Sequence, residues 1–457
     1  MAFPRGLRHH ADARAIAHEV LVRVETTDAF ADVLLADRLA GARMRAPDHA
    51  LATRLVYGTL AWQGRLDHHL EGLLRGRLGD LDPQVRAALR LGLCQILFLE
   101  RVPAYAAVDT SVELARATAG EGAAGLVNAV LRRAARAGAA GLRLPDPTGD
   151  PLGRLAIEWS HPRWLVERWA AELGHDELPR LLAANNGRAP SAVRANRLRT
   201  DRDALRIELA TAGVAASPSA WASDGLVIEE GAARLRALPA CREGHFAFQG
   251  EASQLVTTLL ALAPGERLLD ACAAPGGKAV QAAALLERRG LVVALDRRPG
   301  GLRRVRDEAR RLGATCVRVV AGDARRPPFA HPFDAVLVDA PCSGLGTLRR
   351  HPELRWRRRP EDIARLAALQ REILAGVAPL VRAGGVLVYA VCTLAREENE
   401  DVVEWFRATH PGFVLERPSL PPALLTPAGH LRTSPHHHGL DGFFAARLRL
   451  DSCASLR

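Results

Sequence analysis

Two short runs carry residue types suited to nucleophilic chemistry. Asp339-Ala-Pro-Cys342-Ser-Gly344 follows the apolar stretch Asp334–Asp339, and Cys392-Thr393 follows the apolar stretch Val386–Val391. A single cysteine is most often a small buried apolar side chain. Two of them at the ends of β-branched stretches, one directly after an Asp-Ala-Pro turn, support a second reading as reactive thiols. A thiolate adds to electron-poor carbon, and a carboxyl beside it can hold or deliver a proton during the addition. Asp339, Cys342 and Cys392 therefore form the candidate catalytic set.

A third run, Asp270-Ala-Cys-Ala-Ala-Pro-Gly-Gly-Lys278, closes the stretch Arg267–Cys272 and leads into a helix that begins near Ala279. Gly276 and Gly277 let the backbone approach a ligand closely. The run is not a P-loop, because Cys272 stands in the place of its first glycine and Ala279 follows the lysine. It also lacks the spacing of a dinucleotide fingerprint. Asp296 ends the next apolar stretch, where a carboxylate can bind ribose hydroxyls, and Asp323 in Gly322-Asp323-Ala324 is placed to receive an adenine amino group. Taken singly, each is more often a surface or capping aspartate. Together with the glycine turn they describe a nucleoside cofactor whose charge is not phosphate, which S-adenosylmethionine fits better than ATP or NAD. The candidate cofactor residues from this pattern are Gly276, Gly277, Asp296 and Asp323.

A methyl donor beside thiols suggests a specific reaction. Carbon 5 of cytosine is a poor nucleophile, and a thiolate added at carbon 6 makes it enamine-like. A carboxyl at ring nitrogen 3 stabilises the adduct, and a base then removes the proton from carbon 5. Methylation of an exocyclic nitrogen usually goes with an Asn/Asp-Pro-Pro-aromatic run, and Asp339-Ala-Pro-Cys342 stands here instead. The pattern points to carbon, and leaves open which cysteine does which step.

Elements that hold these residues can be read from periodicity. From 251 onward, short apolar runs at Arg267–Cys272, Leu291–Asp296, Val317–Gly322, Asp334–Asp339 and Val386–Val391 alternate with mostly helical patterns. That alternation predicts a parallel α/β sheet covered on both faces, with Phe413–Leu415 and Phe443–Leu450 adding a late antiparallel hairpin. Residues 1–142 read as helical throughout: Ile16, Val20 and Val24 share one face of Ala13–Val24, and Val85–Leu97 repeats the pattern. Further helical stretches surround Ala50–Trp62, Val108–Ala117 and Leu126–Ala137. The Pro-, Asp- and Gly-rich run Leu142–Pro151 predicts a domain boundary. Between 152 and 250 a small α+β domain is expected, with helices Pro162–Leu173, Asp176–Ala184 and Arg202–Ala212 and strands Ala192–Leu198 and Leu226–Glu229.

The chain is long enough for about three domains, each able to bury its own core. Its 457 residues, 48% apolar and 25% charged, exclude a disordered chain, a fibre or a disulfide scaffold. Seven scattered cysteines, including Cys453, suit a reducing cytosol. No run of 18 apolar residues could span a membrane and the first 30 residues lack a secretory pattern, so a cytoplasmic, monomeric protein is expected. The net charge of +11 favours a polyanionic partner, although every basic residue but Lys278 is arginine, a bias that a G- and C-rich genome would also produce. At Lys278 a slim ammonium can sit where a guanidinium would be too broad.

The densest charge follows the Asp-Ala-Pro-Cys turn. Leu348–Arg359 carries Arg349, Arg350, His351, Arg355, Trp356, Arg357, Arg358 and Arg359. Arginine forks grip phosphates and a tryptophan face receives an unstacked base, so this run is the candidate RNA-facing segment. A target base must be single-stranded or flipped to reach such a site. His436–His438 has no carboxylate or cysteine spaced to complete a metal site, and a mobile polar loop is expected there with no metal.

Together the motifs from about 245 to 450 resemble the RNA cytosine-5 methyltransferases of the Sun/Fmu and nucleolar-antigen type. The resemblance rests on Phe248-Gln-Gly-Glu-Ala-Ser253, DACAAPGGK, DAPCSG, RRHP at 349–352, the cysteine strand with Glu397-Glu398-Asn399, and Asp441-Gly-Phe-Phe444. The first 142 residues are similar to a NusB-type RNA-binding domain, on layout and on Leu126-Val-Asn-Ala-Val-Leu-Arg-Arg133. The resemblance implies an all-α NusB-like domain, a small α+β middle domain and a Rossmann-like catalytic domain. It implies that Cys392 is the nucleophile, that Cys342 assists product release, and that Asp339 takes the ring-nitrogen role. It also implies that Cys272, Ala273, Ala274, Pro275, Lys278 and Asp339 hold the cofactor beside Gly276, Gly277, Asp296 and Asp323. The implied substrate is 16S ribosomal RNA before assembly buries the site, with transfer RNA or a non-catalytic assembly role as alternatives. Two departures stand out: Val391-Cys392-Thr393 replaces the usual Thr-Cys-Ser, and Lys278-Ala279 replaces Lys-Thr.

Overall fold

The structure is a computed structural model that describes residues 12–42, 44–146 and 148–452. Cys453 and the first eleven residues of the expected helical domain lie outside the described residues. The chain divides into two compact units, Met1–Arg188 with Leu348–Arg357, and Ala189–Thr347 with Arg358–Arg457.

The first unit is helical. Its helices are α1 (Ala13–Thr26), α2 (Ala31–Ala40), α3 (Ala46–Ala61), α4 (Gln63–Leu73), α5 (Pro83–Phe98), α6 (Ala104–Ala119), α7 (Glu121–Gly141), α8 (Pro151–Glu158), α9 (Arg163–Leu173) and α10 (Leu178–Asn186). Asp12 caps α1 by accepting from Arg14 N at 3.1 Å, and Asp82 caps α5 from Gln84 N at 2.8 Å, with Pro83 opening the helix. The stripe Ile16, Val20 and Val24 is buried as its spacing requires, together with Ala13, Ala17 and Leu21. Helices α5, α6 and α7 approach closely at Gly92. A Cβ there would fall 2.3 Å from Leu131 Cδ1 and 2.7 Å from Ser111 Oγ. Periodicity alone gives no sign of α2 or α4, because α4 is the polar run QGRLDHHLEGL and buries only Leu66, His69 and Leu70.

The division into compact units falls at Arg188, so helices α8–α10 group with the helical unit. The reason is packing: the Trp159 ring lies 6.3 Å from that of Trp62, and Ser160 Oγ accepts from Gly64 N at 2.8 Å. Pro151 and Asp150 still act locally as the start of α8, with Asp150 accepting from Gly153 N.

The second unit contains two sheets. A four-stranded antiparallel sheet is formed by β1 (Ser191–Ala195), β2 (Ala215–Pro218), β3 (Gly225–Glu230) and β4 (Phe246–Phe248), in the order β2-β3-β1-β4. Helix Arg202–Thr211 buries Leu205 and Leu209, which join Val193 and Leu226 in its core. An eight-stranded sheet follows, from β5 (Arg267–Asp270), β6 (Leu291–Asp296), β7 (Val317–Ala321), β8 (Phe333–Asp339), β9 (Val381–Val391), β10 (Phe413–Leu415), β11 (Leu431–Arg432) and β12 (Phe444–Leu450). Its order is β10-β12-β9-β8-β5-β6-β7, with β11 on β12. Strands β5 to β9 pair in parallel. β12 runs antiparallel to both β9 and β10. The expected late hairpin is thus an antiparallel pair that also closes onto the parallel sheet, with β11 in the connection. Two apolar clusters form the core, with Leu268, Val292 and Leu337 in one and Leu269, Val336 and Leu387 in the other.

The residues Pro435–His438 form one turn of helix, in which His438 Nδ1 lies 3.1 Å from Ser434 N and Nε2 lies 3.0 Å from Ala423 O. The expected mobile loop is therefore an ordered turn. Among the described residues, no helix is long and apolar enough to cross a membrane.

Candidate active site

All five parallel strands deliver a named residue to one sheet edge. Across it, in spatial order, come Cys392 after β9, Asp339 and Cys342 at and after β8, the glycine loop after β5, Asp296 at the end of β6, and Asp323 just past β7. β5 lies between β8 and β6, so the direction of chain progression reverses at the glycine loop. Such a switch point opens a crevice at the carboxyl ends of the strands.

The glycine loop is built for close approach. Gly276 has φ +112°, and a Cβ on it would sit 2.9 Å from Val305 Cα. Asp296 organises the far side, its two oxygens accepting from Ala274 N at 3.1 Å and Arg298 N at 2.8 Å. Asp323 is bound by Arg325, whose Nη2 lies 2.7 Å from Oδ2. That bond, chiefly, holds its carboxyl down to about 2. The lysine of the loop turns away from this side. Lys278 Nζ donates to Asp339 Oδ2 at 2.5 Å and lies 5.5 Å from the Phe443 ring centroid. Lys278 and Asp339, which sequence reading treats separately, are one ion pair. The loop's cation is thereby engaged and two carboxylates line the crevice, a donor set that fits a nucleoside and a sulfonium better than a phosphate. Behind them Asp270 is buried, and its carboxyl is pushed up to about 7 by burial first and then by the charge of Asp339.

The thiols meet. Cys342 Sγ and Cys392 Sγ stand 3.3 Å apart. Of the six described cysteines, Cys94, Cys241 and Cys316 are buried, whereas Cys272, Cys342 and Cys392 are half-buried and all lie on this edge. The Cys342 thiol is pushed well up, by its bond to Cys392 first, then by burial and by the charges of Cys392 and Glu398. Two features escape motif reading. Gly346 N donates to Cys392 O at 3.1 Å and Gly442 N to Gly346 O at 2.7 Å, so Gly346 and Gly442 clamp the thiol loops together. A Cβ on Gly346 would fall 1.9 Å from Gly442 O. Glu398 is fully buried and gathers Ser343 and Gln370. The runs Asp441-Gly442-Phe443-Phe444 and Glu397-Glu398-Asn399 mark both places by resemblance, but neither says what these residues contact.

The candidate RNA segment is divided between the two units. Leu348–Arg357 belongs to the helical unit, where its side chains are structural. Arg355 is fully buried, donating to Ala61 O, Ser160 O, Asn186 Oδ1 and Asn185 O at 2.6–3.2 Å. Burial pushes its guanidinium down to about 9. Arg357 donates to the carbonyls of Val24, Thr27, Asp28 and Ala29 at and beyond the end of α1, where a cation complements the helix terminus. Trp356 packs on Gly64, whose absent side chain leaves room for the indole. In the free protein both guanidinium groups are engaged by these acceptors. His351 lies edge-on to Phe30 at 5.4 Å. Arg349 and Arg350 are half-buried in the same unit. In the second unit, Arg358 Nε donates to Ser343 O at 2.8 Å, while Arg359 is exposed at the start of helix Pro360–Val377.

A parallel sheet with this switch-point crevice and acidic strand ends defines a Rossmann-like methyltransferase that uses S-adenosylmethionine. Three family models match the chain: NusB family over 11–136, the RsmF/B-like ferredoxin-like domain over 161–233, and 16S rRNA methyltransferase RsmB/F over 257–449. A ribosomal RNA small subunit methyltransferase B of Pseudomonas syringae is 39% identical, covering 88% of this chain and 89% of its own. The crystal structure of PH0851 superposes with a TM-score of 0.83 at 28% identity, over 98% of this chain and 99% of that one. NSun6 from Pyrococcus horikoshii, solved with SFG, matches with a TM-score of 0.58 at 25% identity, over 63% of this chain and 98% of its own. The chain belongs to the 16S rRNA methyltransferase RsmB/F family, with a NusB-like helical domain, a ferredoxin-like middle domain and a Rossmann-like methyltransferase domain.

Proposed function

We propose that this protein methylates carbon 5 of a cytosine in small-subunit ribosomal RNA through a covalent cysteine adduct. The observation that carries the reading is the thiol pair, 3.3 Å apart at the ends of adjacent strands β8 and β9. S-adenosylmethionine supplies the methyl group, with Gly276, Gly277, Asp296 and Asp323 as the residues that would hold it. Cys392 as thiolate adds to carbon 6 and forms the C–S bond, which raises electron density at carbon 5. Asp339, held by Lys278, faces ring nitrogen 3, which takes up a proton from solvent on addition, and stabilises the adduct by accepting from the resulting N–H. Once carbon 5 carries the methyl group, Cys342, having released its resting proton to solvent, takes the proton from carbon 5, and the electron pair left there re-forms the ring double bond and expels the Cys392 thiolate. The ribosomal substrate is supported by the names of the family and of the Pseudomonas syringae relative.

Two variants test the thiol roles. Cys342→Ala is expected to accumulate a covalent protein–RNA adduct visible on a denaturing gel, because addition proceeds and release does not. Cys392→Ala is expected to lose adduct and methylation together. The reverse pattern would exchange the roles. Bisulfite sequencing of ribosomal and transfer RNA from a deletion strain tests the substrate; an unchanged ribosomal map with a lost transfer-RNA mark would reassign it.

A further inference from the structure

Two thiols in contact pose a problem of assignment. A thiolate beside a thiol shares one proton with it, and sulfur–sulfur distance alone does not say which sulfur keeps it. The surroundings of the pair are unequal. Glu398 lies fully buried, and its Oε1 accepts from Ser343 N at 2.9 Å and from Gln370 Nε2 at 2.9 Å. Its Oε2 accepts from Ser343 Oγ. Ser343 Oγ in turn lies 2.7 Å from Thr393 Oγ1. Gln370 Nε2 also donates to Pro341 O at 2.9 Å, and Tyr389 OH donates to Glu398 O at 2.6 Å. Both residues flanking Cys342 are thus tied to Glu398 or its partner, whereas Glu398 reaches Cys392 only through the hydroxyl of Thr393; against this, Cys392 N donates to Cys342 Sγ at 3.3 Å, a contact that favours charge on Cys342 and that Glu398 has to outweigh.

Glu398 brings a buried carboxyl to the cluster, and the hydrogen bonds it accepts from Ser343 and Gln370 are those that favour its charged form. Tyr389 is buried, which pushes its phenol well up and keeps it a neutral donor. Arg371, on helix Pro360–Val377, acts on Tyr389 and lies 5.7 Å from the Trp405 ring. Arg358 reaches the Ser343 carbonyl from the half-exposed side. Burial raises the Glu398 carboxyl, opposed by the hydrogen bonds from Ser343, Gln370 and Thr393.

We propose that Glu398 is a positioning residue that assigns the roles of the two thiols, its carboxylate holding the pair's shared proton on Cys342 and leaving Cys392 to be the thiolate. The inference rests on the two-thiol reading above and adds the group that breaks its symmetry. A negative charge fixed two bonds deep against Ser343 penalises a second negative charge on the adjacent Cys342 more than on Cys392. The same bonds fix the two loops at the separation that proton sharing requires.

The test uses full-length protein without RNA, labelled with iodoacetamide under single-hit conditions and mapped by peptide mass spectrometry. Wild type is expected to label Cys392 about tenfold faster than Cys342, the ratio that one unit of difference in thiol acidity produces. Glu398→Gln keeps the shape and removes the charge, and is expected to bring that ratio down to about one. Labelling of Cys272, on the same edge, should stay unchanged. Glu398→Asp should recover part of the preference. If Glu398→Gln melts early, Ser343→Ala keeps the carboxylate and is expected to shift the ratio the same way by a smaller factor. A folded Glu398→Gln protein with the wild-type ratio, or a wild type that labels Cys342 first, would overturn the proposal. The covalent-adduct reading fails separately, if Cys392→Ala still methylates, because the labelling ratio needs neither RNA nor turnover.

Discussion

Leu348–Arg357 and the thiol loops are neighbours in sequence and opposites in their use of polar groups. In the first, Arg355 and Arg357 direct their terminal nitrogens at backbone carbonyls and an asparagine of the helical unit. Charge there serves cohesion. In the second, Ser343, Thr393, Gln370, Tyr389 and Glu398 satisfy one another, so the loops are rigid while the two sulfurs meet each other at the half-buried edge. Residue type states what a side chain can do. Whether its donors and acceptors are already engaged decides what it does.

The contrast can be broken most directly at Arg355. Arg355→Ala leaves four oxygens that now accept from Nη1 and Nη2 without a partner and opens a cavity. Orphaned buried acceptors and lost packing together cost about 4 kcal/mol. The first transition in urea unfolding of the full chain should move accordingly. Cys392→Ser should stay within about 0.5 kcal/mol of wild type while methylation disappears. An Arg355→Ala protein as stable as wild type would return the segment to the RNA-facing role that its composition suggests.

Next in size is the buried acid on the reactive edge. The folded protein holds Asp270 protonated up to about 7, against 3.8 for an exposed carboxyl. The folded state therefore keeps a proton that the unfolded chain releases in that window, and stability falls as pH rises from about 4 to about 7. Asp270→Asn removes this contribution, worth on the order of 4 kcal/mol at full ionisation. Urea midpoints of the cofactor-free proteins should converge near pH 4 and diverge by pH 8, with the variant higher. Parallel pH profiles would show that Asp270 is not held in its protonated form, and that the reactive edge carries no such internal cost.

These contrasts also mark what a single sequence can show. The strands of the large sheet were legible because β5, β6, β8 and β9 are apolar runs ending in chemistry-bearing residues, and period and punctuation agree there. β2, with the run AASP, and the polar helix α4 carry little apolar signal, since their burial depends on distant neighbours. The thiols, the glycine loop and the acidic strand ends could be named because their spacing is local. The Lys278–Asp339 pair, the Gly346–Gly442 clamp and the Glu398 hub join residues 28 to 96 positions apart, a relation set only by the fold. The arginine segment shows the same limit: 349–359 is locally a polyanion pattern, and only the fold shows that Arg355 and Arg357 already have acceptors at the ends of α1, α3 and α10 and at Ser160.

The smallest expected effect sharpens the comparison within the segment itself. Arg359 is exposed, and the helix it precedes takes its cap from the Arg359 backbone N–H, 3.1 Å from Asp362 Oδ2, which alanine retains. Arg359→Ala should therefore leave stability within about 0.5 kcal/mol. If Arg359 contacts a phosphate, the slope of log affinity for RNA against log salt should fall by about one unit. Arg357→Ala should do the reverse, lowering stability through the four carbonyls it abandons while leaving the salt slope in place. Filter binding across a salt series and urea unfolding on the same two variants separate the cases. A common slope change in both would mean that Arg357 exchanges its carbonyls for phosphate when RNA arrives, and that engagement in the free protein does not fix a side chain's role in the complex.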